Sequence, residues 1–220
     1  MTDPDLLAAL LPEGVVSVCG VPEQDAEGLR ALGPSERAAI EGVVPSRGNE
    51  FVTGRMLARR ALARLGVTVE AIDRGPEGAP VWPPGIVGSI THTRRLCAVA
   101  VARAQDFAGI GIDAEPDEAL PTEILDEVTR PSERDWLATL PEGERGPTAR
   151  LVFAIKECVY KAQYPIARRF LDFPDVEVTT PIGEDGWSAS ILAAGTPSQV
   201  SGRWARAQGH WLTTCVLAVR

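Results

Sequence analysis

Apolar positions along this chain recur with two periods. Between residues 147 and 163, Leu151, Ile155, Val159 and Ala162 share one stripe of a 3.6-residue period, while Phe153, Glu157, Tyr160, Lys161 and Tyr164 share another. The spacing predicts a long helix with a core face and a second face that carries a carboxylate and an ammonium one turn apart. A second long helix is predicted from a Ser46 cap through Phe51, Met56, Ala58, Leu62 and Leu65 to a stop at Gly66. Short apolar or alternating runs at 15–19, 88–93, 96–102, 109–116, 176–178, 187–192, 203–208 and 210–219 predict strands, with Arg94-Arg95 and Gly209 at hairpin turns. Short helices are expected at 6–11 and from Pro34, Pro121 and Pro131, whereas 22–26, 74–83 and 141–147 read as loops.

Composition narrows the class. With 220 residues, 45 % hydrophobic and 24 % charged, the chain can bury a core as one large domain or as two small halves. No apolar run approaches the roughly 18 residues of a membrane helix, and the first residues lack the basic start of a secretory signal, so a cytoplasmic protein with no membrane partner is expected. Cys19, Cys97, Cys158 and Cys215 lie far apart and read as reduced thiols rather than a disulfide framework or zinc ligands. A formal charge of −8 argues against nucleic acid, which needs a surplus of phosphate-neutralising residues. Yet Arg47, Arg55, Arg59, Arg60 and Arg64 concentrate positive charge in the first half, which suits either a solvated helix face or a local pocket for a phosphorylated small molecule.

Asp113 and Glu115, two apart at the end of a strand, leave the same face of an extended backbone. Held side by side they repel unless a proton or cation intervenes, and a hard divalent ion with phosphate oxygens and water suits such a pair. A solvated turn is the plain alternative. Glu157 and Lys161 likewise read either as an ordinary surface pair or as reacting groups. His92, among hydroxyls and beside two arginines, suits an anion contact or a structural role. The run 96–103 echoes 214–220, a faint hint of duplication.

Four ordered blocks then carry a resemblance: Arg47-x-x-Glu50-Phe51-x-x-Gly54-Arg55-x-x-Ala58-Arg59, Gly88-Ser89-Ile90-Thr91-His92, the run 109–116, and the run 153–161. Together they resemble the 4'-phosphopantetheinyl transferases, in particular the siderophore-synthase and surfactin-type group that activates carrier proteins. The resemblance implies an α+β fold of two similar halves, 1–106 and 107–220, related by a pseudo-twofold. Each half would be a small antiparallel sheet packed on a long helix, with the active site in the cleft between them. It implies transfer of the phosphopantetheine arm of coenzyme A to a serine of an apo acyl or peptidyl carrier protein, releasing adenosine 3',5'-bisphosphate. Asp113, Glu115 and Glu157 would hold Mg2+, or Mn2+ in its place. Lys161 would contact the phosphate under attack, and Glu157, or a water held by the metal site, would take the serine proton. Thr91 and His92 would bind the 3'-phosphate with support from Arg47 and Arg55; Arg74 would lie near the adenine, and Lys156 would reach a phosphate or the pantetheine.

Departures from the family pattern are Thr91 for Ser, Phe153 for Trp, Ala114 between the acids and Cys158 for a small residue. The carrier is expected to dock on Arg168, Arg169, Phe170, Leu171 and Phe173, and the two-half chain is expected to be a monomer. A metal-dependent phosphohydrolase would need more ligands than the sequence offers, and a coenzyme A-binding or carrier-binding module would not need the Glu157-Lys161 pair. Fatty acid, polyketide, nonribosomal peptide and lysine-biosynthesis carriers are not distinguished.

Overall fold

The computed structural model describes residues 5–22, 25–75, 78–193 and 198–219. In the first half, β1 (Val16–Gly20), β2 (Ile86–His92) and β3 (Cys97–Arg103) form an antiparallel sheet in the order β1-β3-β2. Val18, Val99, Val101 and Cys97 on one face are covered by Leu57, Ala58, Ala61 and Leu62 of the helix α3 (Pro45–Arg64). Val44 caps α3 with Pro45 in its first turn, so Ser46 is not the cap that the sequence suggested; proline at the first position costs no hydrogen bond. Gly66 ends the helix as expected, with φ of 72°, while the Val67 N–H returns to the Leu62 carbonyl at 3.0 Å. Two short helices, α1 (Ala26–Ala31) and α2 (Pro34–Ala38), precede α3.

The second half holds β4 (Phe107–Pro116), β5 (Val176–Val178), β6 (Gly186–Ile191), β7 (Gln199–Ala207) and β8 (His210–Ala218), in the order β4-β8-β7-β6-β5. Gln208 and Gly209, both at positive φ, make the tight β7–β8 turn. Between β4 and β5 run α4 (Leu125–Val128), α5 (Pro131–Thr139) and α6 (Glu142–Ala167). The expected loop at 141–147 is therefore helix. Pro147 forfeits one bond near the solvent-facing start of α6, and the Leu120 N–H secures that turn by donating to the Gly146 carbonyl at 3.0 Å.

The fold is mixed α+β, each half packing a sheet on a long helix, although among the described residues three strands against five make the halves unequal. A shared core joins them: Ala98, Ala100 and Ala102 of β3 meet Ile110, Ile112 and Ala114 of β4 and Leu212 of β8. Where β2 meets the outer edge of β4 there is no backbone ladder. Instead the N–H groups of Ile112 and Ala114 donate to Ser89 Oγ and Thr91 Oγ1, each at 3.1 Å. Among the described residues, no helix is long and apolar enough to cross a membrane.

Candidate active site

The alternation of β4 sends Ile110, Ile112 and Ala114 into the shared core and turns Gly109, Gly111, Asp113 and Glu115 toward α6. The glycines let the helix lie directly on the strand. A Cβ at Gly109 would stand 2.1 Å from the Ala162 carbonyl oxygen, and one at Gly111 1.9 Å from that of Cys158. Cys158, which had no explanation in the sequence, is buried there, and its Sγ donates to the Gly111 carbonyl at 3.1 Å. A larger side chain at this contact would lift α6 off the sheet.

This seating brings the two acidic motifs together. Lys161 Nζ bonds Asp113 Oδ1 at 2.6 Å, and Thr91 Oγ1 donates to the same oxygen at 2.9 Å. Burial lowers the proton affinity of the Lys161 ammonium, but Asp113 and Glu157 outweigh it and hold the group above the ordinary lysine value. The Glu157 carboxyl is pushed up by burial and by the Asp113 charge, with Lys161 opposing. Glu115 is pushed up to about 7, by burial first and Asp113 second, against the pull of Arg150, whose Nη1 lies 3.0 Å from Glu115 Oε2.

The expected anion site divides. His92 Nδ1 stands 3.3 Å from Glu50 Oε2, which also accepts Arg47 Nη1 at 2.9 Å. Burial lowers the His92 ring below its ordinary value, with Glu50 opposing and Lys161 and Arg47 assisting. Thr91, by contrast, is buried, its hydroxyl donating to Asp113 and accepting from the Ala114 N–H. Arg55 is also buried, Nε donating to the Ile72 carbonyl at 2.8 Å and the guanidinium lying 4.3 Å over the Phe51 ring. Arg74 is exposed, and its backbone bridges to Pro80 in the loop beside the cleft.

Lys156, expected to reach a phosphate or the pantetheine, lies in the interior and does not line the cavity between the halves. Its side chain is 1 % exposed, and Nζ bonds Glu133 Oε2 at 2.7 Å, the Val128 carbonyl at 2.9 Å and the Phe173 carbonyl at 3.2 Å, which uses all three ammonium donors. Beyond the end of α6, Leu171 is buried and Phe173, half-buried, packs on Phe153 at 5.3 Å. Phe170 is exposed, beside Ile166 and Arg168. The sequence reading gave no role to Glu50, Arg150 or Glu133; the i,i+3 spacing of Arg47 and Glu50 was the available signal for the first.

A cavity of about 510 Å³ opens between the halves, within the range of small-molecule sites. Glu157, Tyr160, Lys161 and Tyr164 line one wall, and Gly88 to Ile90 with the 78–82 loop line the other. Among the described residues no three His, Cys, Asp or Glu side chains are grouped closely enough to hold a metal ion among them. The donors nevertheless fit a hard cation that keeps most of its water. Asp113 Oδ2 is buried with no hydrogen-bond partner among the described residues, and Glu115 and Glu157 both feel the Asp113 charge.

Comparison with known proteins gives a consistent result. A family model described as the 4'-phosphopantetheinyl transferase N-terminal domain matches residues 35–102, and one described as the 4'-phosphopantetheinyl transferase superfamily matches residues 109–215. The chain is 39 % identical over 222 residues to 4'-phosphopantetheinyl transferase Svp of Streptomyces mobaraensis, covering 97 % of this chain and 89 % of Svp. It is 39 % identical to Npt of Nocardia iowensis over 230 residues, 97 % of this chain and all of Npt. With PptT of Mycobacterium tuberculosis the identity is 36 % over 230 residues, 99 % of this chain and all of PptT. Npt and PptT carry the same description as Svp.

Proposed function

The chain belongs to the 4'-phosphopantetheinyl transferase superfamily, and from that premise we infer that it moves the phosphopantetheine arm of coenzyme A onto a serine of an apo acyl or peptidyl carrier protein. The observation that supports this most is the meeting of Asp113 and Lys161, with Glu157 one helical turn away, at a cavity between the halves. In the reaction the serine Oγ forms a bond to the phosphorus next to the pantetheine, and the bond from that phosphorus to the bridging pyrophosphate oxygen breaks. Adenosine 3',5'-bisphosphate leaves. Positioning and charge neutralisation supply most of the acceleration in such a displacement.

Lys161 meets the phosphate under attack, a role supported by its strengthened hold on a proton, which keeps it a cation. Glu157 accepts the serine proton, a task favoured by the raised proton affinity of its carboxylate. Asp113, Glu115 and Glu157 would hold Mg2+ or Mn2+, which supplies charge neutralisation and Lewis acidity to the pyrophosphate. Arg47, His92 and Arg74 bind the nucleotide end, with Glu50 orienting His92; Arg55 supports that wall from within. On this reading, residues 1–106 carry the nucleotide and 107–220 the reacting groups. The exposed Phe170, with Arg168 and Arg169, receives the carrier.

The test is the intact mass of an apo carrier after incubation with the protein, coenzyme A and Mg2+. One added phosphopantetheine, lost with chelator and with E157Q, is the expected outcome. Carriers of several types left unmodified while coenzyme A loses phosphate would replace transfer with hydrolysis.

A further inference from the structure

Two glutamates are buried alike at the starts of two short helices. Glu36 is the third residue of α2, in Pro34-Ser35-Glu36-Arg37, and Glu133 the third of α5, in Pro131-Ser132-Glu133-Arg134. Each carboxylate reaches back to the N–H ahead of its helix, Gly33 to Glu36 Oε2 at 2.8 Å and Arg130 to Glu133 Oε2 at 2.7 Å. With its other oxygen each accepts a distant backbone N–H, from Ile72 at 3.0 Å and from Val178 at 2.7 Å. Each also takes a cation 23 residues further along, on the long helix of its own half: Arg59 at 2.5 Å and Lys156 at 2.7 Å. The arginine that follows each glutamate turns back to the carbonyl five residues before it, Arg37 to Leu32 and Arg134 to Thr129.

One clasp therefore occurs twice, tying a short helix, a long helix and a later segment at a single carboxylate. In the first half Arg59 lies outside the group formed by Asp113, Glu157 and Lys161, so its clasp serves architecture. The second copy differs in what lies beside it. Lys156, Glu157 and Cys158 are consecutive, hence about 100° apart around α6. Lys156 is fixed to Glu133 on one side and Cys158 to the Gly111 carbonyl on the other, and Glu157 emerges between them into the cavity.

We propose that Lys156 is a positioning residue of the transfer reaction, whose clasp with Glu133 sets the roll of α6 that presents Glu157 and Lys161 to Asp113, and that it does not touch the substrate phosphates. This rests on the transferase reading. A small misplacement of reacting groups costs up to about a hundredfold in rate, whereas loss of a phosphate contact shows in substrate affinity.

The experiment compares K156M, E133Q, the double variant K156M/E133Q and K156R with the unaltered protein. It reads kcat per folded molecule, KM for coenzyme A, and the melting temperature. K156M and E133Q should each lower kcat by about tenfold or more while KM stays within about threefold. The double variant should lose less than the product of the two, because neither buried charge is then left without its partner. K156R, which copies Arg59, should keep KM and recover most of kcat, and it carries the test should K156M not fold. A KM raised tenfold in K156M or K156R with E133Q silent would make Lys156 a phosphate ligand and overturn the proposal. So would single variants that melt earlier yet keep kcat. Turnover by the unaltered protein reports on the transferase reading; the ratios between variants report on the clasp.

Discussion

Glu36 shows how a single buried carboxylate is kept charged. Burial alone would raise its proton affinity, but the Arg59 hydrogen bond and the N–H groups of Ile72 and Gly33 outweigh it and hold the group below the usual glutamate value. A carboxyl whose proton affinity is lower folded than unfolded contributes stability above its unfolded pKa, about 4.3, and loses it as pH falls through the folded value. E36Q should therefore cost about 3–5 kcal/mol at pH 7, and the gap to the unaltered protein should close below about pH 4. Urea denaturation across pH checks both. At this scale the sequence was partly legible. Asp113 could be paired with Glu115 and Glu157 with Lys161, because i,i+2 on a strand and i,i+4 on a helix fix which side chains share a face, whereas only the family resemblance brought the two pairs to one site. The surroundings of Thr91, Arg55 and Lys156 could not be read, since nothing local says whether a polar side chain turns to a cavity or to a buried carbonyl. The repeated Pro-Ser-Glu-Arg was in plain view, yet its meaning depends on cations 23 residues away.

For α6 the decisive quantity is its distance from β4. G111A would put a methyl 1.9 Å from the Cys158 carbonyl oxygen, which only a shift of the helix relieves. The expected result is destabilisation by about 3 kcal/mol or more and a transfer rate at least about tenfold lower, since Lys161 and Asp113 separate together. G48A, in α3 where no atom of the described residues lies within 4 Å of the added methyl, should instead stabilise by about 0.5–1 kcal/mol. Thermal melting of the two variants side by side tests the contrast. Periodicity located both long helices but put the start of α6 too late, because Pro147 and two nearby glycines read as loop. The turn survives through the Leu120 contact, which lies outside any local window.

Across the whole molecule, the halves are joined by the shared alanine and isoleucine core and by the two hydroxyls of β2. S89A would leave the buried Ile112 N–H without an acceptor and should cost about 1–3 kcal/mol; T91V should cost more, since Asp113 loses a donor as well. Urea melts near that of the unaltered protein for both would show that the seam contributes little. Length and composition left one domain or two halves open and only the family resemblance implied two, while the unequal strand numbers and the hydroxyl seam were not legible, because edge partners come from distant chain. That seam has a colloidal consequence. β4 lies at the border of the five-stranded sheet, and an unpaired strand border is a template on which other chains polymerise. β2 covers that border, and Ser89 and Thr91 occupy two of its amides with side chains that cannot propagate a sheet, so the strand bearing Asp113 resists growth into a fibril.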